Sequence, residues 1–191
     1  MPKRMERPDM DRGGGGGGYE TPSASELHRL MWTKSGSSNH MDEVYPRIYI
    51  GDMHAAKDKS ALRDHGVTHV LNAAHGGFGV NTGPGFYRDT GITYHGVEAF
   101  DAPSFNLSPF FYPAAGFIRN ALSSSAGKVL VHCAMGLSRS SSLVLAYLMI
   151  HEGMTLADAT RAVGANRNVC PNEGFLQQLR ELDAKLRRGR T

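Results

Sequence analysis

The densest apolar patterning in the chain lies between Lys128 and Glu152. KVLVH, Lys128 to His132, is a short β-branched run of the kind that forms a buried strand. After a short polar loop, Leu143 to Ile150 is apolar at eight consecutive positions. With a start near Arg139 and Gly153 available as a stop after Glu152, this second run predicts a buried helix. Upstream, Arg47 to Gly51 (RIYIG), Val67 to Ala73 (VTHVLNA) and Ile92 to Val97 (ITYHGV) read as strands, with a helix over His54 to Asp64. Gly76 to Gly85 is rich in Gly, Asn and Pro and reads as a loop. Leu107-Ser108-Pro109 predicts a helix start with Ser108 as N-cap and Pro109 at the first helical position. Ser23 to Trp32 sets a capping serine before Glu26, with Leu27, Leu30 and Met31 at helical spacing. Thr155 to Asp158 resembles a capping box, and Leu176, Leu179, Leu182 and Leu186 mark a last amphipathic helix beginning near Asn172. Strands interleaved with helices predict an α/β fold.

The 191 residues suffice for one domain with a sizeable core and a tail. Six consecutive glycines, Gly13 to Gly18, follow a polar start and cannot bury apolar surface, so residues 1–20 read as a disordered Gly-rich tail. Residues 21–42 read as a helix and linker, 43–188 as the globular domain and 189–191 as a second tail.

Charge changes this picture little. The net +3 is already supplied by Arg180, Lys185, Arg187, Arg188 and Arg190 against Glu181 and Asp183, so composition gives no support to a nucleic-acid groove. The eight-residue apolar run is far short of the roughly 20 residues of a membrane-spanning helix, and no membrane partner is expected. Two cysteines and the polar start MPKRMERPDM lead to an expectation of a soluble protein of a reducing compartment, cytoplasmic with the nucleus as a second location. The nine histidines have no ligand spacing such as HExxH, and neither a metal nor a cofactor is expected.

The candidate chemistry lies between the two apolar runs. Cys133 ends the strand and faces the start of the helix, where unpaired backbone N–H groups and the positive end of the helix dipole favour a thiolate and an anion bound above it. Six residues on, Arg139 can bend its planar fork over the same loop and hold two phosphate oxygens. Gly136 lets the backbone turn its amides inward, and the Ser140 hydroxyl can donate to the sulfur as it leaves. A lone cysteine is more often a packed apolar residue. Here His132, Cys133, Gly136, Arg139 and Ser140 occur together at a spacing that makes a phosphate cup.

His132-Cys133-Ala134-Met135-Gly136-Leu137-Ser138-Arg139-Ser140 resembles the HCxxGxxR[ST] signature of cysteine-based protein phosphatases. YIGD (Tyr49 to Asp52), HVLNAAH (His69 to His75), FNLSPFF (Phe105 to Phe111), AYLMI (Ala146 to Ile150) and PNEGF (Pro171 to Phe175) extend the likeness from about Tyr19 to Arg188. The chain is similar to atypical dual-specificity phosphatases of the VHR-like group, and within it to the DUPD-domain type. The resemblance implies a single catalytic domain with a central mixed, mostly parallel sheet flanked by helices, and a phosphate-binding loop between a strand and a helix. It implies hydrolysis of phosphotyrosine and of phosphoserine or phosphothreonine in phosphoproteins, signalling kinases among them, through a phosphocysteine on Cys133. Arg139 would clamp the transition state, Ser140 would assist the leaving sulfur, and the loop amides from Ala134 to Arg139 (Met135, Gly136, Leu137 and Ser138 included) would hold the phosphate, with His132 counted in the same phosphate-binding loop. His132 would also hold the loop and tune the thiol, and a packed strand-end histidine describes it equally well.

The leaving oxygen needs a proton, and Asp101, in VEAFDAPSFNLSP, matches the family's aspartate loop. On local sequence alone a turn-forming aspartate is an equal reading, and Asp89 and Glu98 are weaker alternatives for the acid. Arg167 matches a position that can meet a second phosphate, although a solvated helix-end arginine explains it equally well. Asn172 either braces the loop or caps the last helix. Cys170 reads as an inert buried thiol.

Ala134, Met135 and Leu137 are uncharged, whereas inositol-lipid phosphatases of the superfamily place lysines there, which favours phosphoproteins. A phosphoprotein-binding module with little turnover is the alternative, and a sulfur-transfer enzyme fits Arg139-Ser140 less well. The helix over Ser23 to Trp32 can pack on its own domain or on a second copy, leaving a homodimer open.

Overall fold

The computed structural model describes residues 18–35 and 38–188, so residues 1–17 of the expected Gly-rich tail and the tail at 189–191 lie outside the described residues. A five-stranded sheet has the order β1-β2-β5-β3-β4, from β1 (Met41–Tyr45), β2 (Ile48–Gly51), β3 (His69–Asn72), β4 (Thr93–Gly96) and β5 (Val129–His132). β1 pairs antiparallel with β2, and the other four strands run parallel. The sheet is therefore mixed and mostly parallel. β1 is an element that the apolar pattern does not announce: its first three residues are half-buried and include Asp42 and Glu43, so an edge strand carries little periodic signal. It begins at Met41, inside the stretch read as linker.

Alternation along the strands divides the interior in two. Val129 and Val131 of β5 and Leu71 of β3 face a large core, while Leu130 and Val70 face a smaller one with Ala56, Leu62, Val67 and Tyr87. The large core is covered by α1 (Ala24–Met31), α4 (Phe111–Leu122), α5 (Arg139–His151), α6 (Leu156–Gly164) and α7 (Glu173–Arg188). α2 (Met53–Lys57) and α3 (Lys59–Asp64) cover the other. α5 is buried from Ser140 to Met149, as expected of a helix apolar on every face.

Two helix boundaries differ from the sequence reading. The helix expected over His54 to Asp64 breaks at Asp58, whose N–H donates to the Ala55 carbonyl as α2 ends while its carboxylate accepts the Ala61 amide to open α3. Ser108 does not cap α4: it starts a single 3₁₀ turn, Ser108 to Phe110, and its hydroxyl goes to Asn106. Gln178 of α7 performs the cap instead, accepting the Leu107 and Ser108 amides on its side-chain oxygen. A cap supplied from 70 residues away has no local signal.

α1 packs on its own domain. Ser23 caps it by accepting the Glu26 amide, Leu27 and Met31 are buried, and the Tyr19 and Thr21 hydroxyls just before it both donate to the buried Asp183 carboxylate at 2.7 Å. The backbones of α1 and α6 approach so closely that a Cβ on Gly164 would stand 2.3 Å from the Leu30 carbonyl oxygen. Alanine is ordinarily the better helix former by about 1 kcal/mol. At this contact the sign should reverse, and Gly164→Ala is expected to lower unfolding free energy by about 1–3 kcal/mol in urea denaturation. A stability equal to or above that of the parent would show that α1 is not held against α6.

Candidate active site

β2, β5 and β3 are in register and finish together, Gly51 beside His132 and His132 beside Asn72. Ligands of parallel sheets bind beyond such strand ends. The segment from Cys133 to Ser138 rises from β5 and enters α5 there.

The loop's carbonyls are all tied outward. The Cys133 oxygen accepts from His132 Nδ1 at 3.2 Å, Ala134 from the Met53 amide at 3.0 Å, and Met135 and Gly136 from Arg167 Nη2 and Nε at 3.4 and 3.0 Å. Leu137 accepts from the Cys170 amide and the Ser141 hydroxyl, and Ser138 from the Ser142 amide and hydroxyl. With their oxygens pulled away from the centre, the peptide planes turn their N–H groups to the other side, and no acceptor among the described residues takes the amides of residues 134–139. Successive inward amides at a helix N-terminus make an anion-binding nest. The loop closes because Gly136 adopts φ of 70° and comes so near Gly51 that a Cβ would lie 2.7 Å from its carbonyl oxygen.

Cys133 lies within this nest, almost wholly buried, with Ser140 Oγ 3.2 Å from its sulfur. Arg139 Nη1 donates to the Ala99 carbonyl at 2.9 Å, and its buried Nε has no partner. Asp101, two residues after Ala99, is exposed, and its carboxylate accepts from Asn172 Nδ2 at 2.9 Å. Asn172 performs both of its expected tasks by different atoms: Oδ1 caps α7 by accepting the Phe175 amide, and its own amide donates to Ser138 Oγ. Cys133, Arg139, Ser140 and Asp101 thus meet at one loop through Ala99 and Asn172. Asp89 is held elsewhere by Lys59 at 2.9 Å, while Glu98 lines a neighbouring cleft.

Three residues stand differently from their expected places. Arg167 is 2% exposed and lies beneath the loop, bonded to its carbonyls, to the Asn39 carbonyl and to Asp42 at 2.7 Å. With its donors committed there it is a brace, and it does not reach out to a second phosphate. His132 is wholly buried and its Nδ1 holds the Cys133 carbonyl, so it braces the loop as the resemblance implies, and it differs only in not being one of the phosphate ligands. Cys170 is exposed, not buried; burial of part of its surface, then Glu173 and Asp101, push its thiol up, away from the reactive thiolate. The Asp42–Arg167 pair and the Met53 amide are the loop supports that sequence reasoning misses, because their partners lie 125 and 81 residues away. Among the described residues, no group of three or more His, Cys, Asp or Glu could hold a metal ion, and no helix is long and apolar enough to cross a membrane.

Burial, reinforced by the Arg139 charge, pushes His132 down to about 4, against the opposing pull of the Cys133 carbonyl and Asp52. The ring is therefore neutral near pH 7, with its proton on Nδ1 facing that carbonyl.

Comparison with known proteins places this geometry. Residues 48–185 match the family model "Dual specificity phosphatase, catalytic domain". Human dual specificity protein phosphatase 13B is 54% identical over 171 residues, covering 89% of this chain and 86% of that protein. The crystal structure of human DUSP28 superposes with a TM-score of 0.70 at 29% identity, covering 81% of this chain and 99% of that one. A mouse dual specificity phosphatase complexed with zinc tungstate gives a TM-score of 0.70 at 30% identity, over 82% and 96% of the two chains.

Two predictions arise from the loop. Gly136→Ala forces a side chain into positive φ and against the Gly51 carbonyl, and should weaken binding of inorganic phosphate at least about tenfold by isothermal titration; unaltered affinity would dissociate loop geometry from anion binding. The folded value of His132, about 4, lies below the 6.5 of the unfolded chain, so its stabilising contribution is complete above about pH 6.5 and is lost as pH falls through 4. His132→Gln should flatten that part of the stability curve, read as urea midpoints against pH. A parallel offset at every pH would assign the titration to other groups.

Proposed function

The chain belongs to the dual-specificity phosphatase family and is a protein phosphatase; from that premise we propose that it hydrolyses phosphotyrosine and phosphoserine or phosphothreonine through a phosphocysteine intermediate. The observation that carries the reading is the nest of unpaired amides over residues 134–139 closing around Cys133, with the partnerless Arg139 Nε beside it.

In the first step the Cys133 thiolate attacks phosphorus, an S–P bond forms and the P–O bond to the substrate side chain breaks. The amides and the Arg139 fork hold the non-bridging oxygens as charge shifts through the transition state. Asp101 gives its proton to the leaving oxygen. Asn172 holds that carboxyl in place, and the bond from Arg139 to Ala99 ties the acid's loop to the clamp. In the second step the Asp101 carboxylate takes a proton from water, the water oxygen attacks phosphorus, and the S–P bond breaks. The electron pair returns to sulfur, where the Ser140 hydroxyl at 3.2 Å donates a hydrogen bond to the re-forming thiolate. The uncharged side chains of Ala134, Met135 and Leu137 favour phosphoprotein over a polyanionic inositol lipid, and Met135 is exposed on the loop as an apolar contact.

Hydrolysis of an aryl phosphate and of phosphotyrosine and phosphothreonine peptides by the reduced protein tests this directly. Wild type should turn over all three and Cys133→Ser none. Absence of turnover with tungstate binding retained would leave a phosphoprotein-binding module in place of an enzyme. Asp101→Asn should lower kcat on phosphopeptides by roughly 10²- to 10⁴-fold, with a smaller loss on aryl phosphates whose leaving groups need no proton. Ser140→Ala should leave the first step fast and slow the second by about tenfold or more, giving a rapid burst of about one equivalent of phenolate followed by a slow steady state. Linear kinetics without a burst would remove Ser140 from the hydrolytic step.

A further inference from the structure

Beside the cup is a cleft of about 260 Å³ whose lining includes His75, Phe78, Glu98, Ala99 and Phe100. It is small beside the roughly 300–1,000 Å³ of small-molecule sites, and its size suits one long side chain. Two features make it unlike ordinary surface. Phe78 is 98% exposed, and Phe100 is 58% exposed with one edge against Phe105, so two large rings present apolar surface to solvent around one cavity. Phe78 is also well supported: it tops a turn in which the Gly79 amide donates to Gly76 and the Val80 amide to Ala74, and the Val80 carbonyl accepts from Asn72 Nδ2 at 2.8 Å. With Ala74 and Val80 buried on either side, the ring is held out by structure that is itself fixed. The second feature is charge: of the described residues lining the cleft, Glu98 is the only acid, and there is no Lys or Arg to neutralise it.

Aromatic faces next to a carboxylate recognise the cationic head of a long side chain, the rings taking the alkyl stem and the delocalised charge and the carboxylate taking the N–H groups. Position decides what carries that side chain. Ala99 lines the cleft, and its carbonyl accepts from Arg139 Nη1, so cleft and cup share a wall. A polypeptide whose phosphate sat in the cup would therefore pass this shared wall with its neighbouring residues. We propose that the cleft binds an arginine or lysine flanking the phosphorylated residue of the substrate, with its charge against Glu98 and its stem between Phe78 and Phe100. The proposal rests on the phosphoprotein-phosphatase reading above and adds to it a substrate class, phosphopeptides with a basic residue near the phosphate.

The test uses phosphotyrosine peptides carrying Arg, Ala or Glu at each position within roughly three residues of the phosphotyrosine, the span an extended chain needs to reach a neighbouring cleft. Affinities are measured by fluorescence anisotropy on the full chain with Cys133→Ser, and kcat/KM on the wild type. At one position the arginine peptide should bind about five- to tenfold more tightly than the glutamate peptide. Glu98→Arg should invert that order, and Phe78→Ala should narrow it. Because each readout is a ratio of two peptides on one protein, a variant that has lost overall affinity still reports. Equal affinities at every position, or an order unmoved by Glu98→Arg, would overturn the cleft. Failure of the wild type to turn over any peptide while the binding order persists would overturn the enzymatic reading and leave the cleft standing.

Discussion

Everything at the site depends on where the carbonyls of Cys133 to Ser138 go. A peptide unit cannot point its oxygen and its N–H to the same side, so a loop that offers consecutive amides to an anion must place as many oxygens behind it. Buried carbonyls left without donors would cost about 1–3 kcal/mol each, enough to unravel the loop. The fold supplies the donors from separate places: the start of α2 through Met53, the segment after α6 through Arg167 and Cys170, and the hydroxyls of Ser141 and Ser142 within α5. The anion nest is thus a property of the surrounding domain as much as of its own residues.

That dependence gives the distant elements a share in the site. Arg167 braces two loop carbonyls only because Asp42, on edge strand β1, neutralises and aims its guanidinium. Truncating either partner of such a buried pair leaves an unpaired charge, at about 3–5 kcal/mol. The stretch from Gly164 to Cys170 is in turn sewn to α1: the Val169 amide donates to Met31, and the Asn168 side chain pairs with both backbone groups of Lys34. α1, seated by Leu27, Met31 and the Tyr19 and Thr21 bonds to Asp183, thereby stiffens the strut that supports the phosphate loop. A segment that contributes no reacting group is coupled to the site by backbone hydrogen bonds.

The sequence made the centre of the molecule legible because the relevant signals are local. Lys128 to His132, the loop with Gly136, and the apolar run after Arg139 specify strand, cup and helix within 25 residues, and all three were found in place. Thr155 capped α6 and Ser23 capped α1, as short-range capping predicts. What stayed illegible was decided at long range. Arg167 reads as a solvated arginine or a phosphate contact until Asp42 is known to lie beneath it, and Ser108 reads as a cap until Gln178 is known to reach the same amides. Cys170 reads as buried because cysteine usually is, yet it follows the strut at the surface.

The site also divides its work between rigid and exposed parts. The cup's carbonyls are all held from behind by hydrogen bonds, so its free amides keep one fixed arrangement, suited to the tetrahedral group that the proposed substrates share. Discrimination between substrates then has to come from groups that differ from chain to chain and are free to meet a peptide. Of the six large apolar or aromatic residues exposed among the described residues, Met135, Phe100 and Phe78 are found on the loop, beside the candidate acid and in the adjoining cleft, while Tyr19, Trp32 and Tyr112 lie elsewhere in the chain. Exposing three large apolar side chains forgoes the burial each would gain in a core, about 1.5–3 kcal/mol apiece, and two of them line the one cleft where Glu98 is the sole acid among the described residues. Such an arrangement gains from a bound peptide what the folded chain alone leaves unused.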